Sequence, residues 1–160
     1  MAENIIIRKA ERGDMIQVHT LIKALARFEK LEENCLLTLE NLVHDGFDTT
    51  PPIFKCIVAE LKERIVGYAM YFTSYSSRVG KSTYLEDIFI DPNYRGTGLG
   101  KKLFATVARE AQKNSSRRVD LVCLSWNNAM EFYQKIGMKN LTQCEDRHYL
   151  GISGEELKTV

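Results

Sequence analysis

The chain has 160 residues, and its acidic and basic side chains nearly cancel, leaving a formal net charge of +1. A chain of this length is expected to fold as a single domain over residues 1–160, around one hydrophobic core. The balanced charge gives no reason to expect a nucleic-acid partner. Because no apolar run reaches the length of a membrane span and Met1–Arg8 lacks a signal-peptide pattern, we expect no membrane partner and a cytoplasmic location.

The four cysteines predict neither disulfides nor a metal site. They form no C-x-x-C pair, and no histidine stands at metal-ligand spacing. Cys56 and Cys123 lie within apolar runs, where a free cysteine behaves as a small buried hydrophobe.

The first half of the chain changes from strand to helix and back. The β-branched run Ile5–Ile7 predicts a first strand, and apolar residues between Met15 and Leu25 recur at helical spacing. A second, short helix is expected after Thr38. Three apolar strands with short links then predict an antiparallel meander. These strands cover residues 54–61, 65–75 and 83–90.

The second half begins with a glycine-rich segment and an amphipathic helix from Leu99 to Ala111. The apolar run Val119–Leu124 is typical of a strand covered on both faces. A helix is predicted between Asn127 and Gly137, and a last strand or hairpin over 141–152. The predicted order is β-α-α-β-β-β-α-β-α-β, an α/β fold with a mixed, mostly antiparallel sheet flanked by helices.

The segment Arg95-Gly96-Thr97-Gly98-Leu99-Gly100 lies between a predicted strand and a predicted helix. Glycines allow backbone N–H groups to approach an anion closely, and a helix N-terminus adds free donors and the positive end of a dipole. Lys101 and Lys102 add positive charge. Together these features predict a pyrophosphate site.

Two common phosphate-binding patterns are excluded. The P-loop pattern G-x-x-x-x-G-K-[ST] fails because Arg95 takes the first glycine position and Lys102 the last position. The dinucleotide pattern G-x-G-x-x-G fails because its third glycine falls on Lys101 or Leu103, depending on the starting glycine.

The remaining pattern, [Q/R]-x-x-G-x-[G/A], is filled by Arg95, Gly98 and Gly100. It resembles the coenzyme-A signature of the GNAT superfamily of N-acetyltransferases, and the predicted element order is also that of the GNAT fold.

Further segments are similar to one branch of that superfamily, the diamine (spermidine/spermine) acetyltransferases and their thialysine-acetylating relatives. The resemblance implies that the chain uses acetyl-CoA to acetylate a primary amine of a diamine, a polyamine or a thialysine-like amino acid. It also implies direct attack in a ternary complex, and a homodimer. The segments are Phe28–Glu33, Tyr84–Ile90 with Tyr94–Gly96, and Trp126-Asn127 with Phe132-Tyr133.

The chemistry requires a base, an oxyanion donor and an acid, because an amine with a pKa of roughly 10 is protonated at neutral pH. The resemblance implies that Glu86 is the base, acting through ordered water, and that Tyr133 is the acid that protonates the departing thiolate. If the two residues were only structural, Glu86 would form an ion pair on the sheet, and Tyr133 would be a half-buried aromatic residue whose hydroxyl contacts water.

The resemblance also implies a set of coenzyme contacts. Backbone groups of the strand would pair with the pantetheine arm, and one amide would polarise the thioester carbonyl. Asn127 is explained equally well as a helix cap. The implied contacts are Ile88, Phe89, Ile90, Arg95, Gly96, Thr97, Gly98, Leu99, Gly100, Lys101, Asn127 and Met130.

The resemblance also implies that the amine substrate is bound by Phe28 and Glu29, which match the aromatic–acid pair of the branch, together with Glu86. A rim of further carboxylates is expected to attract a cation. The rim residues are Glu32, Glu33, Asp45 and Asp48.

Two departures from the branch favour a shorter amine or a lysine-like amino acid. Ser125 stands where an acidic residue commonly precedes Trp-Asn. Arg147 stands at or near a tryptophan position, where it would repel a polycation.

Two alternatives keep the same fold. One is acetylation of a protein lysine or N-terminus, against which the Phe28-Glu29 segment argues. The other is a non-catalytic coenzyme-A-binding regulator, against which the presence of both Glu86 and Tyr133 argues. Covalent catalysis by a cysteine is disfavoured because no histidine stands in a recognisable Cys–His context.

Overall fold

The computed structural model describes residues 4–159, so residues 1–3 and 160 of the predicted single domain lie outside the described part. Contacts divide the chain into two compact units, one up to Val122 and a second from Cys123 onward.

The first unit is built on a five-stranded sheet whose strands stand side by side in chain order. The first four strands are antiparallel to their neighbours and the last pair is parallel, so the predicted meander is confirmed. The strands are β1 (Ile6–Lys9), β2 (Lys55–Leu61), β3 (Arg64–Ser76), β4 (Gly80–Ile90) and β5 (Val119–Asp120).

Helices cover both faces of this sheet. On one face, α1 (Met15–Phe28) and α2 (Leu39–Val43) pack over a cluster that includes Tyr68 and Phe89. On the other, α3 (Leu99–Lys113) packs over a cluster that includes Leu85. The alternation of side chains along each strand supplies both clusters. Short turns of 3-10 helix at Arg12–Asp14, Glu32–Asn34 and Pro92–Tyr94 and of π-helix at His44–Asp48 complete the unit.

A β-bulge interrupts β4 at Glu86. Met70 pairs with Asp87 and Tyr71 pairs with Leu85, which leaves Glu86 without a partner on β3. A bulge bends its strand and increases the local twist.

The parallel ladder between β4 and β5 ends before the bulge. Its last pair joins Tyr84 to Asp120, so β5 is two residues long rather than the predicted Val119–Leu124. The prediction of a longer strand is wrong, and the ladder stops directly before the bulge, where a bulged strand no longer offers a regular edge for pairing.

The second unit contains α4 (Ala129–Lys135), α5 (Leu141–Glu145) and α6 (Gly154–Lys158). The predicted strand over 141–152 is wrong. The side-chain oxygen of Asn140 accepts from the N–H of Gln143 and starts α5, and Asp146 ends it with a φ of 50°. The apolar residues that suggested a strand are exposed, and a strand needs a partner to pair with.

Within residues 4–159, none of the helices is both long and apolar enough to cross a membrane.

Candidate functional site

The loop between β4 and α3 has the conformation expected of an anion-binding turn. Gly96 and Gly98 have φ values of 74° and 78°, in the left-handed region that favours glycine. Nothing lies within 4 Å of where a Cβ would stand at either position. The first helical hydrogen bond runs from the N–H of Lys102 to the carbonyl of Gly98, so the N–H groups of residues 99–101 have no helical acceptor. The loop therefore fits a pyrophosphate.

Beyond the bulge, β4 has an open edge. The N–H of Asp91 donates to the carbonyl of Val66 on β3 at 2.9 Å. Because backbone groups alternate in direction along a strand, those of Ile88 and Ile90 point away from β3. No strand among the described residues pairs with this edge. An extended ligand can therefore add to it as a further strand.

The bulged residue Glu86 is exposed beside this edge. Among residues 4–159 it forms no ion pair. The alternative explanation of Glu86 as part of an ion pair on the sheet is therefore not supported. Its carboxylate is available to a reacting group and to water.

The next residue, Asp87, has very different surroundings. Its carboxylate accepts a hydrogen bond from the Tyr68 hydroxyl at 3.0 Å. Burial raises the pKa of Asp87 from its ordinary value of 3.8 to about 6; the charges of Glu86 and Glu29 also raise it, while the Tyr68 hydrogen bond lowers it. The sequence prediction did not include this residue. Its burial depends on packing against α1, which is distant in sequence, so the adjacent carboxylates Glu86 and Asp87 gave no local signal for which one is buried.

The end of α1 reaches the same place. Phe28 is the last residue of α1, and Glu29, which follows it, has a pKa raised by burial. The charge of Glu29 in turn raises the pKa of Asp87. The Arg95 guanidinium lies 5.5 Å from the ring centroid of Phe28 and 5.2 Å from that of Phe89. The structure thus brings the predicted aromatic–acid pair together with β4 and the glycine-rich loop.

Two of the four carboxylates of the predicted acidic rim, Glu32 and Asp48, form ion pairs with arginines, which compensate their charges. Glu29, Glu86 and Asp87 form a separate group of carboxylates, in which the first two raise the pKa of the third. The charge of Arg147, which was expected to repel a polycation, is compensated in the same way. The pairs are Arg27–Glu32, His44–Asp45, Arg12–Asp48 and, in the second unit, Arg147–Glu145.

The second unit holds the predicted acid and two predicted coenzyme contacts. Tyr133 lies on α4, is 9% exposed and packs edge-on against Phe132 with 5.2 Å between ring centroids. The side-chain oxygen of Asn127 accepts from the N–H of Ala129 at 3.0 Å, as in a helix cap. The N–H of Met130 donates to the Asn127 carbonyl at 3.1 Å. The coenzyme contacts of Asn127 and Met130 stay predictions.

A family model, Acetyltransferase (GNAT) family, matches residues 19–138. This chain belongs to the GNAT family of acetyltransferases. It is 37% identical to thialysine N-epsilon-acetyltransferase of Bos taurus, over 98% of this chain and 96% of that protein. It is 33% identical to spermidine/spermine N(1)-acetyltransferase-like protein 1 of Homo sapiens, over 94% of this chain and 23% of that protein.

Solved structures confirm the GNAT fold. An integron cassette protein from the mobile metagenome of V. cholerae matches with a TM-score of 0.77 at 20% identity, covering 97% of this chain and 96% of that one. An aminoglycoside N-acetyltransferase in complex with CoA matches with a TM-score of 0.71 at 18% identity, covering 88% and 91%. Family, fold class and acetyltransferase activity are therefore as the sequence predicted.

We predict that Asp87→Asn stabilises the protein at neutral pH. The folded-state pKa of about 6 lies above the ordinary 3.8, so ionising Asp87 destabilises the folded state as pH rises through this window. At about pH 7.5 the variant should gain about 1–3 kcal/mol in free energy of unfolding by urea, and the gain should vanish below about pH 4.

Asp45→Asn, at an exposed pair with His44, is the control and should change stability little at either pH. A loss of stability in Asp87→Asn at about pH 7.5 would contradict the assigned environment.

Proposed function

We propose that this enzyme transfers the acetyl group of acetyl-CoA to the primary amine of a small cationic substrate, by direct attack in a ternary complex. The proposed acceptors are a thialysine-like amino acid and diamines or polyamines. The observation that carries the proposal is the bulge, which exposes Glu86 between an open strand edge and a group of carboxylates. The names of the thialysine and spermidine/spermine relatives support this class of acceptor.

The β4–α3 loop and the β4 edge fit acetyl-CoA, which supplies an activated acyl thioester and an anionic pyrophosphate. The N–H groups of Leu99, Gly100 and Lys101 would hold the pyrophosphate at the start of α3. The outward backbone groups of Ile88 and Ile90 would pair with the pantetheine arm. The CoA complex of the aminoglycoside N-acetyltransferase, which shares the fold, supports the proposal.

Residues of this chain would then transfer the protons and stabilise the developing charge. Glu86 takes the proton of the substrate ammonium through ordered water, which suits an exposed carboxylate. An N–H on the β4 edge stabilises negative charge that develops on the carbonyl oxygen. Tyr133 supplies the proton that the departing thiolate needs.

Negative charge and an exposed aromatic ring at the proposed site favour a cationic acceptor. Glu29, Glu86 and Asp87 lie close enough for the first two to raise the pKa of the third. With a pKa of about 6, Asp87 is mostly ionised at neutral pH and adds to the attraction. The ring of Phe28, which is 45% exposed, offers a π face to an ammonium group.

The resemblance further leads us to propose a homodimer that acts in the cytoplasm. The four cysteines are free, which suits a reducing compartment. Of the tyrosines between Tyr68 and Tyr75 on β3, Tyr68 and Tyr71 belong to the core, so only the exposed Tyr75 is available to a partner subunit.

A panel of amines tests the acceptor class. Release of coenzyme A from acetyl-CoA should be observed with at least one of thialysine, lysine, putrescine and spermidine. Turnover with lysine-containing peptides alone would show a protein acceptor. Coenzyme-A binding without turnover on any amine or peptide would show a regulator, and either result contradicts the proposal.

Glu86→Gln and Tyr133→Phe test the two assigned roles. Each should lower kcat by about a hundredfold or more, because each removes a proton-transfer group while keeping its shape. Coenzyme-A affinity, measured by calorimetry, should stay within about twofold since neither change removes a loop donor.

The matched controls are Glu63→Gln and Tyr149→Phe, which change an exposed carboxylate and an exposed phenol. Both should keep wild-type kcat. Activity that survives in both site variants would show that the roles are assigned to the wrong residues.

A further inference from the structure

The Arg95 side chain contacts both halves of the proposed site. Its Nε donates to the carbonyl of Ile90 at 3.0 Å, on the open edge of β4. Its guanidinium carbon lies 5.5 Å from the ring centroid of Phe28 and 5.2 Å from that of Phe89, within the range of about 6 Å for a cation–π contact. The Arg95 side chain therefore occupies the Ile90 carbonyl, an acceptor that pantetheine would use, and covers the two rings that would bind the amine.

The two rings and their neighbours form a surface suited to a cation. Phe28 adjoins Glu29 at the end of α1. Phe89 follows Asp87 by two residues on β4, and its ring packs in the same cluster as Tyr68, the hydrogen-bond partner of Asp87. A guanidinium and an alkylammonium both favour a π face with negative charge nearby. Arg95 and the cation of a substrate therefore compete for one surface.

We propose that Arg95 couples the binding of the two substrates, an inference that rests on the proposed function. When the loop binds a pyrophosphate, the Arg95 guanidinium leaves the Phe28–Phe89 ring pair and the Ile90 carbonyl. The ring pair is then open to the cation of the amine. The direction follows from chemistry, because a guanidinium binds a phosphate through paired, charge-assisted hydrogen bonds that are stronger than cation–π contacts made by an exposed arginine.

The coupling acts in both directions. An amine on the ring pair keeps Arg95 away from it and leaves the guanidinium available to the pyrophosphate. By linkage, the factor by which coenzyme A tightens amine binding equals the factor by which the amine tightens coenzyme-A binding.

Calorimetric titration with thialysine, with and without saturating coenzyme A, tests the coupling without turnover. For the wild-type protein we expect thialysine to bind about tenfold more tightly when coenzyme A is present, as expected for displacement of two cation–π contacts, one to the exposed Phe28 ring and one to the outer face of the largely buried Phe89 ring. In Arg95→Ala, thialysine binding without coenzyme A should tighten about tenfold, and saturating coenzyme A should change it by no more than about twofold.

Arg109→Ala is the charge-matched control. Its guanidinium donates to the Thr106 hydroxyl on the exposed side of α3, away from the ring pair. This variant should keep the full coupling of the wild-type protein.

A second variant gives a change in the opposite direction. Phe28→Leu removes one ring from beneath the guanidinium, so Arg95 is released more easily. Coenzyme A alone should therefore bind about threefold more tightly to this variant than to the wild-type protein. Circular dichroism would show that the variant is folded, and Phe28 is exposed enough to tolerate the change.

Unchanged or weaker coenzyme-A binding by folded Phe28→Leu would overturn the inference. An affinity of the wild-type protein for thialysine that does not change with coenzyme A would overturn it as well, and so would coupling that persists in Arg95→Ala. If the wild-type enzyme turns over and binds coenzyme A, such results remove the coupling and leave the proposed function intact. Failure of the wild-type protein to bind coenzyme A would remove both.

Discussion

One extra residue in β4 determines where the rest of the site can lie. Because Glu86 has no partner on β3, the strand changes the face to which its alternate side chains point. Leu85 and Ile88 both pack on the α3 side, whereas Phe89 packs on the α1 side. The ladder with β5 ends just before this bulge, and the edge of Ile88–Ile90 beyond the bulge is open. The proposed base, the proposed coenzyme edge and the proposed amine surface therefore depend on a single irregularity.

The charge of the site lowers the stability of the fold. Asp87 is kept in an environment that raises its pKa to about 6, although an uncharged side chain would suit the surroundings better. Such a cost is typical of residues retained for function rather than for stability. The hydrogen bond from Tyr68 reduces the cost without neutralising the carboxylate. The acidic residues Glu32 and Asp48 are paired with arginines, so they add little to the attraction for a cation.

Features with a strong local signal could be predicted from the sequence. The glycines between Arg95 and Gly100 mark the loop because left-handed backbone favours glycine, and the meander follows from apolar strands with short links. The bulge could not be predicted, because register depends on a pairing partner and not on one strand alone. The burial of Asp87 and the ring contacts of Arg95 depend on α1, which is distant in sequence. The strand or hairpin expected over 141–152 did not form because a strand needs a neighbour to pair with, and Asn140 caps a short helix there instead.

The central claim is that the open edge of β4 and the start of α3 together hold the acetyl donor. Amide hydrogen exchange followed by NMR, with and without acetyl-CoA, tests this claim residue by residue. The account predicts slower exchange at Ile88, Ile90 and Leu99–Lys101 on binding, with the amides of β1 unchanged. Binding that leaves these amides unprotected, or that protects a different part of the chain, would contradict it.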